Sequence, residues 1–235
     1  MPVLILIFLK LPDSEQLKTD VKVPPEQKDK LTVKTWGLAL WNITFNVTLN
    51  AFFASIALVV VKTGAGDSSR AGLTISAYSA VAFLVGIFFS RIRKFLKHYT
   101  LAFAVASVGV CFLILANAQT FNMYILGSLF FGLGFGMYNP ELLLLVAQTI
   151  KRPEGIVPVK SAATLAFSVV IVFQAIGQSF SQKILGAAIS VFGLEGLKAG
   201  WQVSSVYLLI AAPVIVVAAT ILSRKKKQVD RTGSL

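Results

Sequence analysis

Long apolar runs dominate the chain, and their spacing predicts its elements. Six stretches, at about 38–61, 71–90, 100–117, 123–148, 161–180 and 203–222, are long and apolar enough for a bilayer crossing, which takes about 20 helical residues. The first holds a different pattern. In "WNITFNVTLNAFF", residues 41–53, Asn42, Thr44, Asn46, Thr48 and Asn50 alternate with apolar residues. Strict alternation reads as a half-buried strand, and the two N-x-T triplets would be glycosylation acceptors in a secreted loop. Neither reading survives the context. A lone strand cannot satisfy its backbone in lipid, the other five runs do not alternate, and sequons inside a span do not meet the glycosylation machinery.

Wound as a helix at about 100° per residue, the same residues resolve into stripes. With Asn42 at 0°, Asn46 falls at about 40° and Asn50 at about 80°, while Thr44, Thr48 and Ser55 gather at about 200–240°. Trp41, Phe45 and Phe52 form a third stripe. Three amides on one face are costly against lipid, so that stripe should face protein or water. Two readings stay open: hydrogen bonding to a polar solute in a cavity, or to a neighbouring helix.

Composition supports the membrane reading. Hydrophobic residues make up 56% of the 235, mean hydropathy is +0.77, and 14% are charged, against about 25% in a soluble domain. The net charge of +12 would suit a nucleic-acid binder, but its distribution indicates topology. With both termini placed in the cytoplasm, 18 of the 22 Lys and Arg fall on the cytoplasmic side, as the positive-inside rule requires. No basic patch carries the interleaved aromatics of a nucleic-acid surface. One cysteine and one histidine provide neither a disulfide framework nor a metal site. No nucleophile–base pair or phosphate loop is evident, so catalysis is not expected, and no cofactor is called for.

The flanks differ from the spans. "MPVLILIFL" is too short to cross, and residues 1–11 read as the tail of a hydrophobic helix whose beginning is missing. Residues 12–37 read as a hydrophilic, Pro-containing cytoplasmic linker and 223–235 as a basic cytoplasmic tail.

The fourth span carries the remaining chemistry. Gly127, Gly134, Tyr138, Glu141 and Gln148 share one helical face, and Glu141 is the only acid within any span. An ionisable residue at that depth usually faces the bundle interior, where it could couple charge or protons; near the interface it could instead pair with Lys151, Arg152 or a helix end. Pro140 removes a backbone donor and frees the Gly136 carbonyl, a candidate hinge beside Glu141. Gly132 and Gly136, as G-x-x-x-G, indicate close helix packing. In the fifth span Ser161, Thr164, Ser168 and Ala175 form a small-residue packing stripe, with Gln174 and Gln178 toward a vestibule. Trp36 and Trp201, at span ends, suit an aromatic belt.

The order "VLILIFLKLP", linker, six spans resembles the C-terminal half of a major facilitator superfamily transporter: the end of helix six, the central loop, and helices seven to twelve. "GIFFSRIRKF" resembles the family's G-x-x-x-D-R-x-G-R-R loop, with Gly86, Arg91 and Lys94 matching, and Ser90 and Arg93 standing where Asp and Gly are usual. "GSLFFGLGFGMYNPELLLLVAQ" followed by "KRPEG" is similar to its tenth helix, and "SRKKK" to its tail. The resemblance implies an all-α, multi-pass cell-membrane protein, with six transmembrane helices as one half of the bundle. It implies alternating access driven by an ion gradient, expected to be protons, and no cofactor. The partners would be the lipid bilayer, a small-molecule substrate and a second six-helix half. Asn42, Asn46, Asn50, Tyr138 and Gln174 become substrate-cavity candidates, Glu141 the coupling candidate, and Arg91, Arg93, Lys94 and Lys97 a cytoplasmic latch. Proton-coupled efflux is the expectation. Uptake of a sugar or other polar solute is the alternative, and a truncated, non-transporting membrane protein or assembly partner another.

Overall fold

A computed structural model describes residues 31–149 and 160–232, and in the latter stretch the side chains of 164–221 and 223. The expected helix tail at 1–11, most of the linker, Lys151, Arg152, the Ser161 side chain and the basic tail's side chains after Ser223 lie outside the described residues.

The described residues are helical, with no strand among them. In chain order the helices are α1 (Val33–Lys62), α2 (Ser68–Leu96), α3 (Thr100–Asn117), α4 (Phe121–Thr149), α5 (Lys160–Val191) and α6 (Ala199–Thr232), and a 3-10 turn at Lys97–Tyr99 joins α2 to α3. The opening alternation is therefore helical. Local chemistry sets several boundaries. Thr32 caps α1 through its side chain, and the Asp67 carboxylate caps α2 by accepting from the Arg70 N–H at 2.8 Å, as short polar N-cap residues do. Gly64, at φ 68°, supplies the left-handed backbone just past α1.

Five helical runs among the described residues are long and apolar enough to cross a membrane, where six were expected. The difference lies at Ser68–Asn117, a single run of 50 residues holding both the second and third expected spans. It is not straight. Gly132 of α4 abuts Tyr78 and Val81, and Gly136 abuts Ala82 and Val85, so α2 and α4 run parallel. Gly127 abuts Leu115, and Gly134 abuts Ala104 and Val108, so α3 and α4 run antiparallel. The chain thus reverses at the 3-10 turn, where Lys97 has φ 51°.

Helices α1, α3 and α4 contribute most of the core, including Phe45, Phe52, Phe112 and Phe131. The outer faces of α2, α5 and α6 expose Phe83, Phe88, Phe95, Ile171, Ile210 and Val214. So extensive an apolar surface suits a hydrocarbon solvent rather than water. The protein is accordingly an all-helical, membrane-embedded type of chain.

Glycines set how closely the helices approach. A Cβ at Gly136 would lie 2.8 Å from the Ala82 carbonyl oxygen, and one at Gly132 would strike the Tyr78 carbonyl and lie 2.9 Å from Val81 Cβ. The expected G-x-x-x-G packing is the α2–α4 contact. Helix α4 continues through Pro140. Trp201 corrects the aromatic-belt expectation: it is 1% exposed, and its indole N–H donates to the Ala51 carbonyl at 3.0 Å. Trp36 is 44% exposed and lies edge-on to Phe173.

Candidate functional site

The three asparagines of α1 meet α5 along a parallel seam. Asn42 donates to the Val170 carbonyl at 3.2 Å, and its side-chain oxygen accepts from Asn46 at 2.8 Å and from the Tyr138 hydroxyl at 3.0 Å. Asn46 also donates to the Asn42 backbone carbonyl at 2.8 Å, and its own oxygen accepts from Gln178 at 3.2 Å. Asn50 donates to the Gln178 carbonyl at 3.2 Å and to the Ser181 hydroxyl. Each step of four along α1 therefore finds a partner further along α5. Gly177 allows the approach, since a Cβ there would collide with the Ile43 carbonyl oxygen at 2.5 Å.

Asn42, Asn46 and Tyr138 are buried, whereas Asn50 is half-buried. The Tyr138 ring stacks on Phe45 with centroids 3.6 Å apart, which joins the amide stripe to the aromatic one. Trp41 continues the stack, to Phe45 on one side and to Tyr207 of α6 at 6.3 Å on the other. Tyr207 donates to the Thr44 hydroxyl at 2.7 Å. The Trp41 indole nitrogen is buried with no hydrogen-bond partner among the described residues.

Of the residues singled out in the sequence, Asn42, Asn46, Asn50 and Tyr138 thus belong to one cluster, and Gln178 joins it. Gln174, one turn away on α5, makes none of its hydrogen bonds. Tyr207 and Ser181 were not foreseen. A hydroxyl-bearing aromatic in an apolar span was the available signal for Tyr207, and nothing in the chain pairs Ser181 with Asn50.

A second polar feature lies at the end of the bundle where α2 meets α3. Arg93 Nε donates to Glu141 Oε2 at 2.7 Å, with side-chain exposures of 36% and 5%. Among the described residues the partner of Glu141 is thus the arginine standing where the loop motif has glycine; Lys151 and Arg152, named with a helix end as alternatives in the sequence, lie outside the described residues. Arg91 packs over its own helix's Phe88 ring, 5.7 Å away, and Lys94 and Lys97 are exposed. Gly86 has nothing within 4 Å of where a Cβ would sit. At the same end the Thr35 and Thr149 hydroxyls share a 2.7 Å hydrogen bond, tying the start of α1 to the last turn of α4.

Asn42 is the hub of the seam. Asn42→Leu removes partners from Asn46 and Tyr138 together, while interhelical hydrogen bonds in membranes contribute about 0.6–2 kcal/mol each. A fall in melting temperature in detergent is expected, larger than that of Asn50→Leu at the half-buried end. Equal falls would contradict the ranking. No family model matches the chain, and no curated protein matches it.

Proposed function

We propose that the chain works as one half of a secondary carrier of the major facilitator type, moving a small solute across the cell membrane by alternating access. In this reading it crosses the bilayer six times, with both termini and the Arg93–Glu141 end in the cytoplasm. The carrying observation is the uncharged polar cluster of buried Asn42, Asn46 and Tyr138, with exposed Gln178 at its edge, which joins α1, α4 and α5 in an otherwise apolar bundle. Polar groups at membrane depth are costly and mark solute pathways. Amides and hydroxyls with aromatic neighbours suit a hydrogen-bonding solute against an aromatic wall.

Glu141 supplies the coupling. Paired with Arg93 it holds the ends of α2 and α4 together, and a proton delivered to its carboxylate would release the arginine. Pro140, one residue away, frees the Gly136 carbonyl and gives α4 a place to bend. Proton-coupled efflux is the direction suggested by the family resemblance, and the Arg93–Glu141 pair supports the proton coupling in that reading. Uptake of a sugar or other polar solute would use the same cluster, and its uncharged lining favours that reading. A non-transporting bundle is favoured by one observation: the amides of Asn42 and Asn46 already have protein partners.

Flux in proteoliposomes separates these readings. Glu141→Gln is expected to flatten the pH dependence of transport, and an unchanged profile removes the proton role. Asn46→Leu is expected to weaken apparent solute affinity by about tenfold, the equivalent of 1.4 kcal/mol. Lowered stability with unaltered affinity would assign the cluster to packing alone.

A further inference from the structure

Helix α2 divides its basic residues between two faces. At about 100° per residue, Arg93 lies about 200° from Arg91, and it is the inward one, paired with Glu141. Arg91 and Lys94 instead fall on the line that carries Leu84, Ile87, Phe88 and Phe95, all within about 60° of Arg91. Those four apolar side chains are 53%, 58%, 46% and 87% exposed. They form a face suited to hydrocarbon, and it ends in two exposed cations.

Three observations indicate what meets them. Among the described residues the ion pair is Arg93–Glu141, and the other described acids, Asp67 and Glu195, lie at the opposite end of the bundle. Arg91 and Lys94 thus have no acidic partner among those residues. Next, Arg91 is held in place. Its guanidinium carbon lies 5.7 Å from the centroid of the Phe88 ring, three residues back toward the bilayer centre, the direction in which helical side chains lean. A guanidinium stacked on a ring keeps its in-plane N–H fork free for a bidentate oxyanion. Finally, the apolar face and the cations are continuous along one helix side, so an occupant needs an anionic head and a hydrocarbon body in that order.

We propose that this edge of α2 binds an anionic phospholipid, with Arg91 and Lys94 on the headgroup phosphate and the acyl chains along Leu84 and Ile87. Phosphatidylglycerol is favoured over phosphatidylcholine, because choline cancels the phosphate charge and brings a cation toward Arg91 and Lys94. The site depends neither on the carrier reading nor on which leaflet faces the cytoplasm. It gives a role to two of the four latch candidates, while Arg93 alone of the four holds an acid among the described residues.

The test is fluorescence quenching by acyl-brominated lipid in bilayers holding the full chain. Leu84→Trp places an indole two turns, about 10 Å, from Arg91 on the same face, level with bromines at the middle of an acyl chain. The native chain, with Trp36, Trp41 and Trp201, supplies the background. In mixtures of phosphatidylglycerol and phosphatidylcholine, with each brominated in turn, the added tryptophan should report phosphatidylglycerol bound about fivefold more tightly, the factor for one juxtamembrane cation. Arg91→Gln with Lys94→Gln should bring that ratio to about one, and Arg91→Gln alone should lower it more than Lys97→Gln. Val172→Trp, at a 55% exposed position on α5, should report a ratio near one. Ile87→Trp repeats the measurement should Leu84→Trp fold poorly. The proposal is overturned by no preference beside Leu84, by a preference that survives the double substitution, or by the same preference at Val172. Equal losses from Arg91→Gln and Lys97→Gln would overturn it too, since they would assign the effect to the diffuse charge of the loop.

Discussion

Arg93→Leu should destabilise the bundle by about 3 kcal/mol, and Glu141→Gln by clearly less. The asymmetry follows from burial. The Glu141 side chain is 5% exposed and that of Arg93 36%, so deleting the arginine leaves a carboxylate with no counter-charge among apolar neighbours. Deleting the carboxylate's charge leaves a guanidinium that already reaches the surface. Breaking a buried pair costs about 3–5 kcal/mol, and the lower end applies because one partner is part-exposed. Replacing both residues with leucine should recover most of the loss, since well-packed apolar pairs often match buried ion pairs in stability. Unfolding midpoints of the three variants in one detergent measure this. Equal losses for the two single variants, or a double variant that merely adds them, would contradict the assignment.

The glycines of α4 carry the second large effect. Gly132→Ala puts a methyl group against the Tyr78 carbonyl and Val81 Cβ, and Gly136→Ala puts one 3.0 Å from the Ala82 Cα. The obstacles include backbone, which cannot rotate away, so α2 must move bodily. Overpacking of this kind costs about 1–3 kcal/mol per site. Gly86→Ala is the control: with nothing within 4 Å, it should be neutral or stabilising by up to about 1 kcal/mol through helix propensity. Melting temperatures of the three variants should separate accordingly. A destabilising Gly86→Ala would mean that the motif glycine has a packing partner outside this chain.

The helices and several faces were legible in the sequence, while most of the contacts were not. Helix α3 has the bounds read from hydropathy, 100–117, because charges and polar residues bracket it closely. Helices α5 and α6 extend well beyond their apolar cores, since helical geometry continues where hydropathy ends. The break at 97–99 was visible as a cluster of basic residues, but not the near-continuity that merges two expected spans into one run. The asparagine stripe followed from the 100° period alone. Its partners did not: Asn42 and Val170 lie 128 residues apart, and no local pattern encodes which neighbour a polar stripe meets. Trp201 shows the same limit, because a span-end tryptophan reads identically whether it faces headgroups or, as here, the Ala51 carbonyl. Arg93 was read with its basic neighbours as a topology signal or a latch, and only its proximity to Glu141 identifies the acid it holds.

The central proposal is that the chain crosses six times, folding back at 97–99, with the Arg93–Glu141 end in the cytoplasm. Single-cysteine variants at Gly64, His98 and Gln119, probed with a membrane-impermeant thiol reagent from each side of sealed vesicles, test it most directly. The account predicts that His98→Cys reacts only from the cytoplasmic face, and Gly64→Cys and Gln119→Cys only from the opposite one. Reaction of His98→Cys from the same side as Gln119→Cys, or from neither side, would contradict it.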